Sequence, residues 1–236
     1  MTPRLLEVLS LAKRYGDQVA LADIAFSVHG GEVLGLIGPN GAGKTTLLEA
    51  IAGLLPVDAG AILWNGRELP PERRREAIFY LPDGVRPYGE QAVARVLAFF
   101  AGVYRRSRTQ TAEIVDALDL APVLAKRVHA LSKGYARRTM LALGLLSPHP
   151  LLMMDEPFDG FDLRQTRAVA ELLRRVAGEG RTLVLAIHQL ADAERACDRF
   201  LLLADGRLRA TGSLEELRAK AGRPTANLEE LFLALT

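Results

Sequence analysis

Cysteine is all but missing: Cys197 is the only one in 236 residues, so no disulfide can form within the chain or contribute to its stability. No group of cysteines and histidines stands at metal-ligating spacing, which leaves no pattern for a zinc or iron–sulfur centre. Long apolar runs are absent too. The stretch "VLAFFAGVY" is bounded by Arg95 and Arg105 and falls far short of the ~20 residues that span a bilayer. The opening "MTPRLLEVLSLAKRYGD" carries charges inside its apolar part and lacks the shape of a secretory leader. Together these absences lead us to expect a chain that works in a reducing cytoplasm, in solution or on a membrane surface. Lysine is scarce, five against 25 arginines, so a lysine inside a motif is less easily read as background. Neither an internal repeat nor a heptad array nor a low-complexity linker occurs, and one copy of one unit is expected. With 49% hydrophobic and 25% charged residues, the length suffices for one good core with an inserted subdomain.

What is present begins with "GPNGAGKTT", Gly38 to Thr46, set between the apolar runs "VLGLI" and "LLEAIAGLL". This strand–loop–helix order meets the spacing G-x-x-x-x-G-K-[ST] at Gly38, Gly43, Lys44 and Thr45. Glycines, Gly41 included, let the backbone curl so that successive N–H groups turn toward phosphate oxygens. The helix N-terminus adds its positive end, Lys44 neutralises β- and γ-oxygens, and Thr45 is placed to hold Mg²⁺. The loop as a whole, with Pro39, Asn40, Ala42 and Thr46 between and after the motif positions, is expected to wrap the phosphates of a nucleotide. The plain alternative is a glycine-rich turn with a solvated lysine.

Short β-like segments, "LLEVLSL", "IAFSVHG" and "AILWNG", are punctuated by the turn signals Gly30-Gly31 and Asn65-Gly66. Buried strands are expected at "VLGLIG", "AIFYLP", "LLMMDEP" and "TLVLAIH", followed by a hairpin around Asp205-Gly206. From Glu90 to about Ser147 the periodicity turns helical, and the end reads as two short helices with capping boxes, Ser213 with Glu216 and Asn227 with Glu230. The fold class is therefore α/β with a helical block inserted. Residues 84–148 hold ten Lys/Arg against four Asp/Glu, a net +6, while the remainder is −4. That block is either a set of solvated helix faces or a basic surface for a partner or lipid headgroups. Tyr88, Phe99, Phe100 and Tyr104 add aromatic side chains to it, with Phe100 expected in the core, and Arg105 and Arg106 are expected on the docking side.

Three further elements bear on chemistry. Asp155, at the end of "LLMMDEP", is expected to hold Mg²⁺ through its water shell, and Glu156 to orient or deprotonate a water against the γ-phosphate. Ser132 and Gly134 in "LSKGY" precede a helical run and make a second anion site or a plain helix cap. His188 ends the strand "TLVLAIH".

These elements in this order resemble the nucleotide-binding subunit of an ATP-binding cassette (ABC) transporter, over residues 5–212. "GPNGAGKTT" looks like its Walker A loop, "LSKGY" its signature, "LLMMDEP" its Walker B strand, "EPFDGFD" its D-loop region with Asp162, and "LAIHQ" its switch histidine; Tyr15 matches the aromatic that stacks on adenine. The resemblance implies a P-loop NTPase core with a mostly parallel sheet, an N-terminal antiparallel β subdomain and an inserted α-helical subdomain. The implied division is a core of 1–83 and 149–212, a helical subdomain of 84–148 and a C-terminal extension of 213–236. It further implies ATP and Mg²⁺ as cofactors, with Glu156, His188 and Lys44 catalytic and Thr45 and Asp155 on the metal. Two such subunits pack head to tail, each ATP lying between one Walker A loop and the other's signature. A separate membrane permease is the second partner, the chain sitting on the inner face of the cell membrane; no nucleic acid is expected.

Departures from the family pattern are informative. Lys133 and Tyr135 stand where the signature commonly has glycine and glutamine, and Phe161 and Leu163 replace leucine and proline beside Asp162. Asp83 falls at the position of the Q-loop glutamine, and Gln91, eight residues on, is a poor substitute. Asp83 keeps an oxygen for Mg²⁺ with a shorter reach; the alternative is that it caps the turn Pro82-Asp83-Gly84. Export is the expected direction. The rival readings are a soluble cassette ATPase acting on ribosomes or DNA, and an ATP-binding regulatory module without turnover. Against the first stand the single cassette and the lack of coiled coils; against the second, Lys44, Asp155, Glu156 and His188 together.

Overall fold

The computed structural model describes residues 3–236; Met1 and Thr2, which the expected core includes, lie outside them. Runs of consecutive apolar residues form strands buried on both faces: β3 (Val33–Ile37), β7 (Leu151–Asp155) and β8 (Thr182–Ile187). With β6 (Ile78–Leu81), β9 (Arg199–Ala204) and β10 (Arg207–Gly212) they build a six-stranded sheet in the order β10-β9-β3-β8-β7-β6, parallel except at β10. Side-chain alternation divides each central strand between two cores: Leu183, Leu185 and Ile187 pack on one face, Val184 and Ala186 on the other. The β9–β10 turn is Asp205-Gly206 as expected, both residues at positive φ (51° and 67°), the conformation whose twist suits a two-residue hairpin.

A second sheet is antiparallel, in the order β2-β1-β4-β5, from β1 (Arg4–Tyr15), β2 (Gln18–His29), β4 (Ala59–Trp64) and β5 (Arg67–Glu68). β1 and β2 run 12 residues each, longer than their apolar strings suggest. Ser10 and Asp23 adopt positive φ (46° and 54°) where the pairing register shifts, so the inward face resumes at Leu11 and Ile24 after a break in alternation.

Helix α1 (Lys44–Ala52) follows β3, and α2 (Pro71–Arg74) precedes β6. Between β6 and β7 the chain is helical as expected, forming α3 (Val93–Val103), α4 (Arg108–Ala117) and α5 (Lys133–Leu146), with two 3₁₀ turns before α5. Helices α6 (Leu163–Gly178) and α7 (Leu190–Ala196) connect the remaining strands, and α8 (Leu214–Ala221) and α9 (Leu228–Leu235) carry both expected capping boxes. Phe100 and Tyr104 pack against the core, whereas Tyr88 and Phe99 are exposed. One expectation is corrected here: Arg106 is not a free docking cation, because its guanidinium donates to the carbonyls of Leu146 (2.7 Å) and Ser147 (3.0 Å) at the end of α5.

Candidate functional site

The loop between β3 and α1 is held close to its neighbours by residues that have no side chain to spare. A Cβ on Gly38 would lie 2.3 Å from the Leu203 carbonyl, and one on Gly43, at φ +103°, would lie 2.7 Å from that of Ala20. Gly43 also stands as the N-cap of α1 and offers no side chain to its first N–H groups, which leaves them available to an anion. Lys44 is buried and donates from Nζ to the carbonyls of Gly38 (2.7 Å) and Pro39 (3.3 Å), so its ammonium is folded over the loop's own backbone.

Above this loop lies a cavity of about 490 Å³. Its floor is Pro39, Asn40, Gly41, Lys44, Thr45 and Thr46, and Gly43 completes the turn. Tyr15, half-exposed, stands on the rim with Lys13 Nζ 5.4 Å from its ring centroid. Gln18, Val19 and Ala20, from the start of β2, line the same rim; the sequence reading missed them, because only the tight turn at Gly16 returns β2 beside Tyr15.

Three carboxylates border the cavity, Asp83, Asp155 and Glu156, and each has a different partner. Thr45 Oγ1 donates to Asp155 Oδ2 at 2.6 Å, which joins two of the three expected metal residues, Asp83 being the third, across 110 positions of sequence. His188 Nδ1 meets Glu156 Oε2 at 2.5 Å, and the His188 backbone N–H donates to the same oxygen at 3.3 Å. Glu156 itself sits at φ +50°, a left-handed conformation costly for a residue with a Cβ, held by its N–H donating to Ala186 O on β8 at 2.9 Å. Asp83, half-exposed, does not cap its own turn: it forms an ion pair with Arg137 on α5, a partner that no local sequence signal singles out.

Burial at the end of β7 raises the Asp155 pKa, and the nearby charge of Asp83 adds to the effect; the Thr45 hydroxyl, Lys44 and Arg137 act in the other direction. A hydroxyl and a carboxylate oxygen 2.6 Å apart form a hard-oxygen pair, the donor type suited to Mg²⁺. Among the described residues no group of three or more His, Cys, Asp or Glu gathers around a metal position, so a cation here would complete its shell with phosphate and water.

Ser132, Gly134 and Asp162 lie away from the cavity lining. Ser132 Oγ accepts from the Tyr135 N–H (3.4 Å) as the N-cap of α5, and Asp162 Oδ1 accepts from the Gln165 N–H (2.8 Å) as the N-cap of α6. Gly134 allows close approach, since a Cβ there would stand 3.2 Å from Gly160 O. Lys133, beside them, pairs with Asp159 at 2.7 Å.

Residues 21–159 match the sequence profile of the ABC transporter family. Among similar proteins is the ABC-type transporter ATP-binding protein EcsA of Bacillus subtilis, 33% identical over 98% of this chain and 96% of its own length. Another is the Nod factor export ATP-binding protein I of Bradyrhizobium diazoefficiens, 35% identical over 92% of this chain and 73% of its own. A solved structure of the ATP-binding subunit of an ABC transporter superposes with a TM-score of 0.87 at 35% identity, over 98% of this chain and 99% of that one. A nucleotide-free ATP-binding cassette at 21% identity and TM-score 0.81 shares the fold.

Proposed function

Since the chain belongs to the ATP-binding proteins of ABC transporters, which are ATPases coupled to transport, we propose that it is the ATPase subunit of an exporter whose permease is a separate membrane chain. The observation that carries this reading is the arrangement at the ends of β7 and β8. There the Glu156–His188 contact stands beside the Thr45–Asp155 pair over the phosphate loop. The export direction follows the similarity to a Nod factor export protein. The relatives named above are transporter components, which leaves the alternatives of ribosome or DNA work without support.

In this reading Gly38 to Thr46 wrap the phosphates, Lys44 exchanges its carbonyl partners for phosphate oxygens, and Tyr15 stacks on the base. Thr45 and Asp155 hold Mg²⁺, which supplies charge neutralisation at the phosphates. Glu156 Oε2 accepts the proton of the attacking water, and His188, oriented by that carboxylate, contacts the γ-phosphate. Ser132, Gly134 and Asp162 face a second, identical subunit and complete its nucleotide site across the dimer. Residues 1–83 and 149–212 form the nucleotide-binding core, 84–148 the helical subdomain and 213–236 the extension, with the subunit peripheral on the inner face of the membrane.

The docking surface is the apolar hollow of about 600 Å³ between the loop after β6 and helices α3 and α5, lined by Val85, Tyr88, Phe99 and Met140 among others, with Arg86 and Arg95 at its edge. The test of the ATPase assignment is Glu156→Gln: hydrolysis falls on the order of 10²- to 10⁴-fold, Mg²⁺–ATP binding persists, and a dimer accumulates with ATP. Hydrolysis at the wild-type rate would remove Glu156 from its role.

A further inference from the structure

Five charged residues line a hollow of about 220 Å³ next to the nucleotide cavity: Asp83, Arg86, Lys133, Arg137 and Asp159. Lys133 and Arg137 are one turn apart on α5 and face the same way. Asp83 comes from the loop after β6 and Asp159 from the loop after β7. Lys133 Nζ binds both oxygens of Asp159, at 2.7 and 2.8 Å, and Arg137 pairs with Asp83. Arg137 is only 8% exposed, and its other terminal nitrogen donates to the backbone carbonyl of Asp155 at 3.4 Å.

Asp83 belongs to both spaces, since it lines this hollow and the nucleotide cavity. Its carboxylate is therefore subject to two pulls. With no cation at Thr45 and Asp155, the negative charges of Asp155 and Glu156 oppose its approach, and the buried guanidinium needs a carboxylate. A divalent ion at Thr45 and Asp155 reverses the sign of the local field and draws an oxygen ligand toward it. Gly84, at φ +72° with open space where a Cβ would stand, gives the loop a hinge next to Asp83. Asp159 lies in the same hollow as a second carboxylate, so Arg137 need not be left unpaired when Asp83 departs.

We propose that Arg137 is a positioning residue for the nucleotide site, a latch that holds Asp83 in the metal-free state and yields it to the hydration shell of Mg²⁺–ATP, with Asp159 taking up the released guanidinium. This rests on Thr45 and Asp155 being the Mg²⁺ ligands. The latch ties occupancy of the nucleotide site to the first turn of α5, where Ser132 and Gly134 stand.

The experiment is a Mg²⁺ titration of the binding of a fluorescent, non-hydrolysable ATP analogue to the full chain and to Asp83→Asn, Arg137→Met and the double variant. Arg137→Met removes the competitor for Asp83 and lowers the half-saturating Mg²⁺ on the order of tenfold. Asp83→Asn raises it, and in the Asp83→Asn background Arg137→Met has no further effect. An Arg137→Met shift of equal size in both backgrounds would mean that deleting any nearby cation favours Mg²⁺, and the latch is wrong. No shift at all overturns it as well. Should Arg137→Met fail to fold, Arg137→Lys keeps the charge without the fork; it must shift the half-point in the same direction, only when Asp83 is present. If analogue binding to the native chain is independent of Mg²⁺, the metal assignment itself falls, and the latch with it.

Discussion

Asp155 ends β7 inside the protein, and its ionised form is disfavoured there before any ligand arrives. Burial comes first among the causes of its raised pKa and Asp83 adds to it, opposed by Thr45, Lys44 and Arg137. The sign of the linkage follows from a carboxyl that binds its proton more tightly folded than unfolded. Its charge costs stability in full above the folded pKa, and the cost vanishes as pH falls below the unfolded value of about 3.8. Asp155→Asn should therefore raise the Tm of the nucleotide-free chain at pH 7, by an amount that shrinks as pH is lowered through the carboxylate range, while Mg²⁺-dependent nucleotide binding is lost. A lower Tm at pH 7 would show that the Thr45 hydrogen bond outweighs the burial. Sequence spacing singled out Lys44, Thr45 and Asp155 as a candidate site, because the chemistry of a phosphate and a cation favours those residue types after a strand, and the structure brings all three to one cavity. Spacing could not show that Lys44 folds back on Gly38 O, nor that Asp83 turns to Arg137, since contacts across 54 positions depend on how α5 is placed.

At the scale of elements, α5 is the best illustration of what local pattern hides. It has no basic residue in its last turn, yet its terminal carbonyls are served by two arginines from elsewhere. Arg106 binds the Leu146 and Ser147 carbonyls, and Arg181 donates to Gly144 O (2.8 Å), Leu145 O (3.1 Å), His149 O (3.0 Å) and Ser147 Oγ (2.6 Å). Burial, with the nearby charge of Arg106, pushes the Arg181 guanidinium down to about 10, so it is still charged at neutral pH. Removing it strands the Leu145 and His149 carbonyls, at about 1–3 kcal/mol for each group, whereas Gly144 O keeps the Ser147 hydroxyl and N–H as donors. Arg181→Met should cost about 3 kcal/mol or more by urea unfolding, and Arg181→Lys should recover little, because one ammonium cannot span four acceptors. Recovery of wild-type stability by lysine would show that charge alone matters. The central strands were legible because apolar runs without alternation are what a sheet covered on both faces requires. The full length of β1 and β2 was not, because the left-handed residues Ser10 and Asp23 reset the inward face mid-strand.

At the scale of the whole molecule, α5 joins two surfaces. Its start carries Ser132, Lys133 and Arg137 beside the nucleotide site, and Met140 and Leu143 form part of the apolar hollow. Its 14 residues span about 21 Å as a single rigid rod. Under the latch proposed above, this one helix is the connection between the release of Asp83 and the hollow. The docking proposed above, of an amphipathic permease helix in this hollow, is supported by Phe99 (65% exposed) and Tyr88 (72% exposed) beside it and by the net +6 of segment 84–148, which favours an acidic or lipid-facing neighbour. Phe99→Glu places a negative charge in that surface without touching the cavity over the phosphate loop. With a permease coexpressed, it should reduce recovery of the chain in the membrane fraction by about tenfold or more, the loss expected of a buried aromatic anchor, and leave Mg²⁺–ATP binding unchanged. Full recovery in the membrane would place docking elsewhere; loss of ATP binding alongside it would mean that α3 and the nucleotide site are coupled through packing, and that the hollow is not an independent surface.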